Sequence, residues 1–275
     1  MITMEILQNE FTSTTLKFNQ DIESIIQAFI NFYGDQHKEY ILDVFNNPRI
    51  IWYSNKENKN IHDAIISSIP IDELNNLLKK RNETAFTQSS YIDELNILVL
   101  PLSYDLTHII HEFNHKVASH IVSFKPLFQI NGLSISKEEN NGVIIYNEFL
   151  NEAINQKITL DILNELNTMG LQVSKTPSWQ ENIFPLINLF YETFKDSLKE
   201  TYTSGNISNF INLVGEDNYN YFCEIIYLKS YKSMRNLKRY NNPNISNKDI
   251  EIIEEMVNKM KEHYDNTTII NDKKK

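Results

Sequence analysis

Residues 106–120 read Leu106-Thr107-His108-Ile109-Ile110-His111-Glu112-Phe113-Asn114-His115-Lys116-Val117-Ala118-Ser119-His120, and they hold four of the seven histidines of the chain. On a helical wheel with Leu106 at the origin and about 100° per residue, Ile109, Ile110, Phe113, Val117 and Ile121 gather within about 60° of it. His108, His111, Glu112 and His115 fall opposite, at about 140–240°. One side of this helix is made for a core, and the other carries imidazoles where lysines and glutamates would be ordinary. His120 falls with the apolar side and reads as a packed core histidine.

His111-Glu112-Phe113-Asn114-His115 is an HExxH sequence. Side chains at i and i+4 stack one turn apart, so His111 and His115 can reach one metal ion, Zn2+ being the expected one. Glu112 is rotated by about 100° from His111, which suits it to a metal-held water and not to the metal. As a general base, it would accept the proton of that water as it attacks a carbonyl. A tetrahedral site needs a third protein ligand and one open position. Ala118 and Ile121 occupy the positions of the glycine and third histidine of the longer HExxHxxGxxH form. No cysteine precedes the helix. A downstream carboxylate remains, and the helix expected over 147–167 offers Glu148 and Glu152 one turn apart, with Gln156 further along the same stripe.

Leu150-Asn151-Glu152-Ala153-Ile154-Asn155-Gln156 resembles the NEAxSD-type segment of gluzincins, the thermolysin-like zinc metallopeptidases. The resemblance covers two short stretches, 105–123 and 146–160. It implies His111, His115 and Glu152 as zinc ligands, with Glu148 as the alternative third ligand, and Glu112 as general base. It implies hydrolysis of a peptide or protein substrate lying extended along a strand at 96–103. Gln156 stands where the family has an aspartate, so a catalytically inactive binding protein on the same scaffold is the competing expectation. A zinc hydrolase acting on a non-peptide amide is a third. For the oxyanion the sequence offers Tyr146, Tyr191, Tyr202 and Tyr227 without choosing among them. His108 reads as supporting the ligands or as facing substrate.

Outward from the motif, the expected architecture is α+β and predominantly helical. The resemblance implies a zincin-like core with a small sheet, followed by a helical C-terminal lobe. Glycine and proline together make only 13 of 275 residues, which disfavours a many-stranded β-sandwich. We divide the chain into a mixed N-terminal region (1–90), the metal-binding core (91–170) and the helical lobe (171–275). Phe11 to Phe18 alternates loosely and predicts a strand. Helices are expected from Ile22 to Tyr33, Glu39 to Phe45 and Ile71 to Lys80. A strand is expected over 96–104, then the histidine helix, capped by Ser103 or Asp105 and running to about Ser123. A hairpin should pair Phe128–Ile135 with Val143–Tyr146.

Charge and composition exclude some partners. The balance of 26 basic against 36 acidic residues, 26 − 36 = −10, repels a phosphate backbone and argues against nucleic acid. The longest apolar run, Ile97–Leu102, is too short for a membrane span and contains Pro101. The opening residues carry acidic side chains and no apolar leader. The single cysteine, Cys223, cannot form an internal disulfide. These features lead to the expectation of a soluble, cytoplasmic protein.

Overall fold

The computed structural model describes residues 4–46, 48–54, 65–67, 69–80, 88–124, 126–139, 142–173, 175–235 and 245–272. Among them the protein is α+β and mainly helical, as composition suggested. It falls into two compact units, one of residues 1–117 and 159–176, the other of 118–158 and 177–275.

The first unit opens with a long helix, α1 (Met4–Tyr33), then α2 (Lys38–Val44). The expected strand at Phe11–Phe18 is therefore helix. Its apolar spacing runs Phe11, Thr14, Phe18, Ile22, Ile25, which is the helical period, with Thr14, Phe18 and Ile25 buried. The threonines of this stretch are accommodated in the helix by back-bonding: Thr12 Oγ1 donates to Gln8 O at 2.8 Å and Thr15 Oγ1 to Phe11 O at 2.8 Å.

A four-stranded sheet follows, in the order β2-β1-β4-β3, from β1 (Arg49–Tyr53), β2 (Ile65–Ser67), β3 (Ser90–Ile92) and β4 (Ile97–Pro101). β1 and β4 are parallel, and the outer strands are antiparallel to their neighbours. α3 (Ile71–Lys80) covers one face, where Leu74, Leu77 and Leu78 meet Ile51, Tyr53, Ile97 and Val99. Having neighbours on both sides, β4 is not the edge along which a substrate was expected to lie; the edge strands are β2 and β3. α4 (Leu106–Ala118) is pinned by its apolar side: Phe113 stacks on Phe45 at 4.3 Å and on Phe18 at 6.1 Å. Two polar ties fix its rotation. Tyr33 donates to the buried amide of Asn114, and Tyr40 donates to Val117 O at 2.6 Å.

The second unit begins where α4 stops. Helix was expected to about Ser123, but Ser119–Phe124 is β5, which pairs antiparallel with β6 (Leu127–Asn131). The β-branched pair Ile121-Val122 fits a strand, and ladder pairing decides the matter over local helical periodicity. β7 (Ser134–Glu139) and β8 (Gly142–Tyr146) complete a four-stranded meander. The expected single strand Phe128–Ile135 is thus two strands, β6 and the start of β7, turning at Gly132-Leu133. Gly132 sits at φ +56°, where a Cβ would lie 2.5 Å from Asn151 Oδ1 and 2.6 Å from the Tyr202 ring. Only glycine fits there.

Asn147, at φ +59°, turns β8 into α5 (Glu148–Thr168). Thereafter the unit is helical: α6 (Phe184–Ser204), α7 (Ile207–Val214), α8 (Glu216–Arg235) and α9 (Asn247–Asp272). Its core is aromatic, with Phe190 stacked on Phe222 at 4.6 Å and edge-on to Phe194 and Phe210. Cys223 is buried beside them, and burial pushes its thiol up to about 12, so it is an inert small hydrophobe. No described helix is long and apolar enough to cross a membrane.

Candidate metal centre

Asp105 sets the start of α4. Its Oδ1 accepts from Thr107 N at 2.8 Å, and its backbone carbonyl accepts from Ile109 N at 3.0 Å, the geometry of a carboxylate N-cap. From that cap, three turns of regular helix carry His108, His111, Glu112 and His115 along one side. The buried residues Ile109, Ile110, Phe113 and Val117 hold the other side to the core.

His111 and His115 meet at their ring tips. The two Nε2 atoms are 3.2 Å apart, and the ring planes are inclined at 76°. Two imidazole nitrogens so close repel one another through their lone pairs unless a shared proton or a cation lies between them. Two ligands at about 2.0–2.1 Å from a tetrahedral zinc stand about 3.3–3.4 Å apart. The observed separation fits that figure closely. Glu152 completes the group: the ligand atoms of His111, His115 and Glu152 all lie within 4.8 Å of one another, and the three side chains are partly buried. Two neutral imidazoles and a carboxylate form a donor set suited to zinc that leaves a fourth position open. Glu148 is exposed and is not part of the group. His120 lies on β5, not on α4, and its Nε2 is 2.8 Å from the carbonyl of Tyr202.

Glu152 owes its position to its chain neighbour. Asn151 is buried, and its Oδ1 accepts from Leu133 N and from Tyr202 Oη, each at 2.9 Å. This ties the β6–β7 turn and α6 to the first turn of α5. The Glu152 carboxylate accepts from Gln180 Nε2 at 3.3 Å. Gln180 lies on a 3-10 turn, Trp179–Ile183, closed by a capping box of Ser178 and Glu181. Gln156 Nε2 donates to Glu181 Oε1 at 3.4 Å, which ties α5 to the same turn. Sequence reading did not find Gln180 or Glu181. The Ser178-x-x-Glu181 spacing was the one local signal for the turn that bears them.

Glu112 is buried, at 5% exposure. Its charge is felt by Tyr53, whose phenol is pushed up first by burial and further by Glu112 and Asp105. Asp105 also faces His108, with 3.0 Å between Oδ2 and Nδ1. Thr176 Oγ1 donates to the same carboxylate oxygen at 2.5 Å. Burial works to raise the Asp105 carboxyl, but the contacts from His108, Thr176 and Thr107 outweigh it and hold it at about 2. His108 is shifted the other way. The Asp105 carboxylate raises it against the opposing effect of burial, with Glu112 adding to the rise.

Of the tyrosines considered for an oxyanion, Tyr191 and Tyr202 are fully buried, with Tyr202 committed to Asn151. Tyr146 donates to Glu139 at 3.3 Å.

No family model, curated protein or solved structure matches this chain.

Proposed function

We propose that the protein is a zinc-dependent metallopeptidase of gluzincin type, with His111, His115 and Glu152 as ligands and Glu112 as general base. The convergence of two imidazoles and a carboxylate on one point, beside a buried glutamate from the same helix, carries this reading. A zinc ion held there would polarise the scissile carbonyl and lower the pKa of a bound water to about 7. The chain's own part is positioning and proton transfer. The Asp105 cap and the Phe113 contacts fix the helix that bears both histidines. Asn151 and Gln180 fix the carboxylate. Glu112 takes the proton of the attacking water and delivers it to the leaving amine. The partner in this reading is a peptide or protein substrate, and the lone, buried Cys223 suits a reducing, cytoplasmic setting.

The test is direct. Protein purified without a histidine tag should hold about one zinc per chain and cleave members of a peptide library, losing activity to a chelator and regaining it with zinc. Glu112→Gln should retain the metal and lose roughly 10²–10⁴-fold in turnover. Zinc bound with no hydrolysis of any peptide would leave the non-catalytic binding protein as the reading. No zinc would remove the metallopeptidase.

A further inference from the structure

We propose that β8 is a docking edge, to which an extended segment of another protein adds as a further strand, the segment being apolar along its middle and basic at its ends. The inference does not depend on the metallopeptidase reading.

The described edge strands are treated differently. β2 and β3 are three residues long each, too short to offer much of a ladder. β5 is interrupted by a register shift between Ile121 and Ser123, and its start packs against Gly205, where an added Cβ would lie 2.6 Å from the His120 ring. β8 has neither protection. Its five residues, Gly142–Tyr146, pair in unbroken register with β7 on one side, and no described strand lies on the other. In an antiparallel ladder alternate residues turn their N–H and C=O groups away from the neighbour. Part of the β8 backbone is therefore aimed outward, ready to pair.

The side chains point the same way. Val143 and Ile145 stand on one side of the sheet, Ile144 and Tyr146 on the other, and they are 51%, 49%, 42% and 43% exposed. A strand with one solvated face alternates apolar and polar residues. β8 is apolar on both faces and carries no charge to keep another chain away. Lys137, opposite Ile144, leaves that middle apolar: its Nζ is held over the rings of Phe128 and Tyr146, 5.6 and 5.9 Å from their centroids.

Charge and size decide the occupant. Exposed carboxylates flank the strand, with Glu138 and Glu139 opposite Val143 and Gly142 at one end and Glu148 beyond the other. A second copy joined about a two-fold axis would pair β8 antiparallel with itself, bringing each Glu148 toward Glu138 and Glu139 of the other copy. The net charge of −10 on each chain adds to that repulsion. Five residues are also far fewer than the roughly 20–30 that each side of a standard interface contributes. Strand addition suits so narrow an edge, because main-chain hydrogen bonds supply the affinity and alternate side chains the specificity. Lysines or arginines at the ends of the incoming segment would meet the flanking carboxylates.

The probe is a capped peptide of four alternating valines and isoleucines between pairs of lysines, titrated into the full chain. It should bind with a Kd below about 1 mM and slow amide hydrogen exchange across residues 142–146. N-methylation of its central amides should weaken it at least about tenfold, and glutamates in place of its lysines should do the same. Ile145→Lys should lose about tenfold or more in affinity while keeping the wild-type urea midpoint. A chelator should leave peptide affinity unchanged, so failure of the metal centre and failure of this edge are read separately. Equal binding of the methylated peptide, unchanged binding to Ile145→Lys, or no binding by about 1 mM would overturn the proposal. A dimer of the protein alone that Ile145→Lys abolishes would overturn it in favour of a second copy.

Discussion

Helices α4 and α5 both supply residues to the candidate metal centre, and they differ in how their polar residues are treated. α4 is two-sided: Ile109, Ile110, Phe113 and Val117 are buried while His108, His111 and His115 are partly open. α5 is buried nearly all round, and its buried set includes Asn151, Asn155, Gln156 and Thr159 beside Leu150, Ala153, Ile154, Ile158 and Ile162. On α4 the division between packing and chemistry follows the helical period, so the wheel alone separates them. On α5 polar side chains are interior, so the wheel cannot tell a carboxylate that faces the metal from one that faces solvent. Glu148 and Glu152 are equivalent by spacing, and only the fold distinguishes them.

The comparison yields tests of decreasing size. Phe113→Ala, on the packing side of α4, should cost about 3–5 kcal/mol in chemical denaturation, because Phe45 and Phe18 lose their stacking partner. A loss below about 1 kcal/mol would mean that the two sides of α4 are not divided as described. Asn151→Ala should cost about 1–3 kcal/mol, since Leu133 N–H and Tyr202 O–H are both left buried without their acceptor. A neutral result would show that buried amides on α5 are incidental. Gln180→Ala should leave stability nearly unchanged yet weaken zinc roughly 10–100-fold in a competition titration with a chelator. Unaltered affinity would deny Gln180 any part in orienting Glu152.

The smallest expected effect is the pH dependence of the cap on α4. Asp105 is held at about 2 against an ordinary 3.8. Its contribution to stability is therefore present above the ordinary value and lost as pH falls toward 2. His108 is raised, so its contribution is full below its ordinary 6.5 and fades as pH rises through the higher folded value. For a partly exposed pair the total should be about 1 kcal/mol or less. Urea midpoints of wild type and Asp105→Asn, measured from pH 3 to pH 9, should differ most between these limits. Parallel curves would show that the pair does not couple to folding.

The helical period identified α2, α3, α4 and the second half of α1, because each buries a single stripe. At Phe11–Phe18 a loose alternation was read over the helical period that is also present, and the threonines there bond back to their own helix. The helical period failed at Ser119, where an apolar side continued in sequence although the chain had turned into β5. That boundary is set by the partner strand β6, 127–131, which a local window around α4 does not contain. The turn at Gly132 was hidden for a similar reason: Asn151 and Tyr202 leave no room for a side chain there, and both are distant in sequence.

By itself, then, the order of residues determined that a helix beginning near Leu106 would carry His111, Glu112 and His115 on one side, since i, i+1 and i+4 relations are fixed by helical geometry within a single element. Tertiary structure decided which carboxylate joins them, which segment steadies it, and which charge His108 meets. Those contacts link residues separated by about 30 to 70 positions, or depend on how neighbouring side chains turn. Such relations are settled by burial and by the pairing of polar groups removed from water, not by any local period.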